Sequence, residues 1–289
     1  MSYPLRGYFS CPSRIDTRYT HILQEVLRDV NSSKWLEILR EIADNIISRV
    51  TEVRLRGEGL ENREIERLLD EAAQSALLET LTMRDVSAQI ISEEGDVVVG
   101  SGGPIIVVDP VDGTTNLARG LKPAVTCISV SENNRLSGTI AALVADIYNG
   151  ETWTAEKNRG AYLDSKPIHI APAKPIQSAL ISVGMSKILK LERMTPLLVN
   201  CRHIRMLGSS ANELSLVASG ILDAHIDIRG TIRVTDVAAA LTIIREAGGV
   251  YAVNGVINGD FFLIREATLE LVATSTPQLL EKLLYLTKS

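Results

Sequence analysis

Long apolar runs are missing from this sequence. No stretch approaches the roughly 20 apolar residues a membrane helix requires, and the first 30 residues carry charges throughout and hold no apolar signal core. Cysteine is scarce: Cys11, Cys127 and Cys201 are odd in number, widely spaced and form no CxxC pair. That excludes a disulfide framework and a thiolate zinc site, and points to a reducing cytoplasm. Aromatic residues make up 4% of the chain, so its core must rest on Leu, Ile, Val and Ala. An excess of positive charge is also absent. The net charge of −5 argues against binding nucleic acid by bulk charge. What remains is an average globular composition, 45% apolar over 289 residues, enough for one large domain or two of about 100–200 residues.

The apolar period divides the chain. Leu36, Leu39, Ile42, Ile46, Ile47 and Val50 recur at helical spacing from Lys34 to Val53, with Ser32 and Ser33 as candidate N-caps. A second helix is predicted from Glu61 to Leu81, with Ile65, Leu68, Leu69, Ala72, Ala76 and Leu77 on its apolar face. Residues 1–33 read as an N-terminal extension with a candidate helix at Thr20–Asp29. After residue 85, short runs separated by Gly, Pro or Asn read as strands: Ala88–Ile91, Ile105–Val108, Thr126–Val130, Ser137–Ala145, Glu151–Ala155 and Lys166–Ala171. Beyond Ala171–Pro175, strands at Leu180–Val183, Ile204–Leu207, Ala224–Ile228, Gly249–Val253 and Leu271–Ala273 alternate with helices. Those helices are Lys190–Asn200, Ala211–Ser219, Asp236–Ala247 and Pro277–Leu286. The pattern predicts an α+β domain over 34–172 that carries the site, and a more parallel α/β domain over 173–289 that completes it.

The most informative run is Ile105-Ile-Val-Val-Asp109-Pro-Val-Asp112-Gly-Thr-Thr-Asn116. A buried strand ends in two carboxylates three residues apart, with a proline expected to turn the chain out of the sheet. Gly113 and the following helical turn offer free amides to an anion. Carboxylates and an anion share a site only with cations between them, and oxygen donors without Cys or His suit Mg²⁺. Asp-Pro-x-Asp-Gly alone is also a good surface turn, and Asp236 alone reads equally well as a helix N-cap.

Val108–Asn116 resembles the first signature of the inositol monophosphatase family, and Val234–Gly249 resembles its second. Ser92-Glu-Glu-Gly95 is similar to the acidic element that precedes the first signature, and the resemblance covers about residues 34–289. The overall pattern is similar to archaeal members, which often accept both inositol monophosphate and fructose bisphosphate. The resemblance implies a layered αβαβα sandwich of the sugar-phosphatase type and a Mg²⁺-dependent phosphomonoesterase. It implies two or three Mg²⁺ ions, with Mn²⁺ as a substitute, and a homodimer. It makes Glu93 (in preference to Glu94), Asp109 and the carbonyl of Val111 ligands of a first metal, and Asp109, Asp112 and Asp236 ligands of a second. Thr114 would orient the attacking water and pass its proton to an acidic residue on the second helix. Glu66 is the residue that matches there, although it also reads as a solvated helix-face residue.

Substrate contacts implied are Asp112, Gly113, Thr114, Arg205, Ser210 and Arg229. An arginine at 229, where many inositol-selective relatives carry glutamate, favours a second phosphate and hence fructose 1,6-bisphosphate. Its alternative is a surface arginine in a turn. The chain departs from the family at Thr235 (usually Trp), at Leu117 (usually Phe) and at Arg56–Leu60, which lacks the expected Asp-Gly-Thr. His169, His203 and His225 have no partner at ligand spacing. Two rival readings are a 3′-phosphoadenosine phosphate phosphatase and a metal-binding regulatory relative with little turnover. The expected partner is a small phosphorylated sugar or inositol, with no nucleic acid and no membrane.

Overall fold

The computed structural model describes residues 17–57, 59–186 and 191–288, with side chains described from Ser32 onward. Residues 1–16 of the expected extension, Glu58 of the Arg56–Leu60 segment and Lys190 at the start of an expected helix lie outside these.

Helices α1 (Thr17–Arg56) and α2 (Asn62–Met83) open the fold. Strands β1 (Ala88–Ser92), β2 (Val97–Val99) and β3 (Ile105–Asp112) lead to a short helix α3 (Thr114–Ala118). Strands β4 (Val125–Ser131), β5 (Thr139–Asp146), β6 (Thr152–Glu156), β7 (Ala161–Leu163) and β8 (Lys166–Ile168) follow. The eight make one sheet in the order β2-β1-β3-β4-β5-β6-β7-β8. Only β1 and β3 run parallel in it. The second half adds β9 (Leu180–Val183), α4 (Thr195–Asn200), β10 (His203–Arg205), α5 (Ser210–Ala218) and β11 (Ala224–Arg233). It ends with α6 (Val234–Glu246), β12 (Val250–Val253), β13 (Val256–Ile257), β14 (Thr268–Thr274) and α7 (Pro277–Thr287). Its sheet has the order β10-β9-β11-β14-β12-β13.

The layers follow from burial. Along β3, Ile106 and Val108 join the core under α1 and α2, whereas Val107 joins the core under α5 and α6. The same split recurs on β5, with Leu143 in one core and Ala142 and Val144 in the other. Successive strand residues face opposite ways, and a sheet covered on both faces therefore reads as an unbroken apolar run. A third core packs α4 and α7 on the far side of the second sheet. The result is the expected αβαβα sandwich.

Several sequence expectations change. Ser32 and Ser33 do not cap a helix, because α1 runs on through them from Thr17. Their hydroxyls donate instead to Glu156 Oε2 at 2.5 and 3.0 Å. The second sheet is mixed, since β9 runs parallel to β10 and β11 while β14, β12 and β13 pair antiparallel. Asn254-Gly255, both at positive φ, make the tight hairpin that returns β12 as β13. Finally, Pro110 does not end its strand: β3 continues to Asp112. Asp109 pairs with Cys127 and Asp112 with Val125, so three residues oppose two and the strand bulges.

Candidate metal and phosphate site

That bulge shapes the site. Carboxylates three apart on a regular strand point to opposite faces. One inserted residue reverses the parity, so Asp109 and Asp112 both turn toward the layer of α5 and α6. Pro110, which has no N–H to donate, sits where the ladder is interrupted anyway. Asp109 Oδ1 accepts from Val111 N at 3.0 Å across the bulge. Gly113 then takes φ 98° to swing the chain into α3, and a Cβ there would lie 3.0 Å from the Pro123 carbonyl oxygen.

Register supplies the third carboxylate. Ser92 is the last β1 residue paired with β3, opposite Val108, so Glu93 emerges beside Asp109. Asp236 arrives from the first turn of α6, which packs on β3 and β4. One oxygen each from Glu93, Asp109 and Asp236 lie within 4.8 Å of one another. Asp112 stands alongside, its Oδ2 accepting from Ser209 Oγ at 2.9 Å and from Ala211 N at 2.6 Å. The amide at the start of α5 is therefore engaged by Asp112, not turned to a ligand.

The electrostatics ask for cations. Burial pushes Asp109 well above the ordinary carboxylate range, with Glu93, Asp112 and Asp236 adding to it. Burial and Asp236 raise Asp112 to about 7, and burial raises Asp236 despite the Arg233 charge beside it. Carboxylates this close and this dry favour protonation unless divalent ions offset them. The donor set is all oxygen, which suits Mg²⁺ or Mn²⁺. The Val111 carbonyl accepts from Thr114 Oγ1 at 2.9 Å, and a carbonyl oxygen carries a second lone pair that can take a ligand.

Thr114 Oγ1 lies 3.3 Å from Asp70 Oδ1. The acidic partner of Thr114 on α2 is thus Asp70, four residues and one helical turn beyond the expected Glu66. Burial, then Glu94 and Glu93, push Asp70 up to about 6. Glu66 is half-buried and reaches Asp70 only as a neighbouring charge. Residues four apart share one helix stripe, so sequence spacing marks the stripe and not the turn.

Other expected residues are placed as follows. Arg229 Nε donates to Asp227 Oδ1 at 2.9 Å, its Nη2 pairs with Asp227 Oδ2, and its Nη1 donates to Ser186 O at 2.8 Å and Oγ at 2.6 Å. Its fork is held by a fully buried aspartate, leaving one Nη2 hydrogen for any other partner. Arg205 is exposed on the edge strand β10 and donates to the Ile204 carbonyl at 2.9 Å. Ser210 opens α5. Thr235, one of the departures from the family pattern, donates from Oγ1 to Asp236 Oδ1 at 3.0 Å. His225 is buried against Ser182 and pushed down to about 4 by burial, while His169 and His203 are exposed.

Comparison with known proteins shows the family and the fold. The sequence model of the inositol monophosphatase family matches residues 23–285. A fructose-1,6-bisphosphatase/inositol-1-monophosphatase of Methanothermobacter thermautotrophicus is 31% identical over 214 residues, 71% of this chain and 74% of that one. The Nus factor SuhB of Xylella fastidiosa is 32% identical over 187 residues, 63% of this chain and 66% of that one. The crystal structure of extragenic suppressor protein SuhB from Bartonella henselae superposes with a TM-score of 0.75 at 21% identity, covering 89% of this chain and 100% of that one. With its two signatures folded into one acidic site, this chain belongs to the inositol monophosphatase family, whose members are metal-dependent phosphatases.

Proposed function

We propose that the chain hydrolyses inositol monophosphate and fructose 1,6-bisphosphate with the help of two or three Mg²⁺ ions. The observation that carries this reading is the meeting of Glu93, Asp109 and Asp236 within 4.8 Å, beside a hydroxyl paired with a carboxylate. Glu93, Asp109 and the Val111 carbonyl would hold one ion, and Asp109, Asp112 and Asp236 another. Bound there, divalent ions supply Lewis-acid polarisation of the phosphoryl group and charge to stabilise the leaving oxygen.

The chain's own groups do the rest. Thr114 orients the attacking water, and Asp70 takes its proton. A carboxyl near 6 is poised to accept a proton at neutral pH and return it. Gly113 lets the backbone come close to the phosphate. Ser210 and Arg205 would contact the rest of the substrate, and the remaining Nη2 hydrogen of Arg229 would give a second phosphate one charge-assisted contact. The Thr114–Asp70 pair favours an active enzyme over a regulatory relative that only binds metal. Cys127 and Cys201 are buried free thiols, in keeping with a cytoplasmic protein, and we read it as a homodimer. Among the described residues no helix is long and apolar enough to cross a membrane.

The substrate is tested by phosphate release from inositol 1-phosphate, fructose 1,6-bisphosphate and 3′-phosphoadenosine 5′-phosphate at saturating Mg²⁺. The first two should turn over at comparable rates and the third poorly. A preference for the adenosine compound would move the chain to the nucleotide-directed branch.

A further inference from the structure

One cation already sits among the carboxylates. Arg233 closes β11 and is the N-cap of α6. Its Nη1 pairs with Glu93 Oε1, and its Nε lies 3.3 Å from Asp236 Oδ1. It thereby joins two members of the three-carboxylate group across 140 residues of sequence. Its backbone N–H also donates to Asp236 Oδ2 at 3.1 Å, which anchors the stem from which the guanidinium reaches out. The same positive charge acts on Asp109 and Asp236, opposing the burial that raises both.

A guanidinium cannot share an oxygen's coordination position with a divalent ion. It carries one charge spread over three nitrogens, against a group of three carboxylates. It therefore compensates them only in part, and the remaining charge still draws a divalent ion. The pair is also partly open to water, with Arg233 38% and Glu93 28% exposed. An ion pair of that exposure is weak, worth up to about fivefold in an equilibrium constant. Arg233 is strong enough to gather the carboxylates and weak enough to give way.

We propose that Arg233 is a tethered counter-cation that competes with a divalent ion for Glu93, so that it sets the metal affinity of this site. Metal entry then frees a guanidinium at the mouth of the site, where the phosphoryl group arrives. The inference rests on the metal-dependent reading given above. A capping role alone would leave metal affinity untouched, because the cap is made by the backbone N–H, which any side chain keeps.

Mn²⁺ binding to the metal-stripped full-length protein, read from the paramagnetic resonance signal of free Mn²⁺, tests this without reference to turnover. Arg233→Gln should bind its tightest Mn²⁺ about two- to fivefold more tightly than the parent chain. Its melting temperature should fall without Mn²⁺ and recover when Mn²⁺ is added. Arg233→Lys, which keeps the charge but cannot bridge Glu93 and Asp236 with one planar fork, should shift affinity the same way by less, and serves if the glutamine variant does not fold. Unchanged or weaker Mn²⁺ binding in the folded variants would overturn the inference. Failure of the parent chain to bind Mn²⁺ at all would overturn the metal-dependent reading itself.

Discussion

Asp70 and Glu66 lie on one stripe of α2, yet only Asp70 is joined to Thr114. Asp70→Asn is expected to lower turnover by about 10²–10⁴-fold, the usual worth of a positioned proton acceptor, while Glu66→Gln stays near the parent rate. Phosphate release at saturating Mg²⁺ reads both, and a loss in Glu66→Gln with Asp70→Asn near the parent rate would return the role to Glu66. The difference was not legible in the sequence, because choosing the turn requires knowing where α3 packs on α2. Asp109, Asp112 and Asp236 were legible, since their signatures fix strand, turn and helix start together. Arg233 was missed although it stands three residues before Asp236, because a lone arginine before a helix carries no spacing signal.

A second residue-scale prediction concerns Glu213, buried on α5 with its Oε1 accepting from Leu207 N at 2.9 Å. Burial pushes it from 4.5 up to about 8. Between those values the folded chain holds a proton that the unfolded chain has released, so stability falls as pH rises. Glu213→Gln keeps the acceptor and removes the ionisation. The variant should melt no higher than the parent near pH 4 and progressively higher toward pH 8. A constant difference across that range would contradict the assignment.

At the scale of elements, the bulge in β3 is what makes two carboxylates three apart serve one site. The sequence shows the proline but not this consequence. Proline usually ends a central strand, and only the pairing of Asp112 with Val125 shows the ladder resuming. The turn that follows depends on Gly113 at φ 98°. Gly113→Ala is expected to cost roughly 1–3 kcal/mol in chemical denaturation and to lower turnover as well, since α3 carries Thr114. A stable, fully active alanine variant would show that the turn tolerates a Cβ. Elsewhere the missed strands are short. Val256–Ile257 follows an Asn-Gly turn that was there to be read, whereas Val97–Val99 and Ala161–Leu163 are only three residues long.

For the whole molecule, five layers exist to bring the ends of β1 and β3 against the starts of α5 and α6. The elements of the layers were legible from period, since doubly covered strands read as continuous apolar runs and the helices that cover them as amphipathic or wholly apolar, whereas their five-layer order was implied by the family resemblance. The antiparallel half of the second sheet was not legible, because strand direction depends on connections that the apolar pattern does not encode. The same convergence is the central claim for function, since acidic side chains spread over more than 140 residues have meaning together only around divalent ions. Its most direct test is phosphate release from inositol 1-phosphate by the purified chain, stripped with a chelator and then titrated with Mg²⁺. The account predicts no release from the stripped protein, a saturable rise with added Mg²⁺, and loss of that rise in Asp236→Asn. Release that ignores the chelator, or that survives in Asp236→Asn, would contradict it.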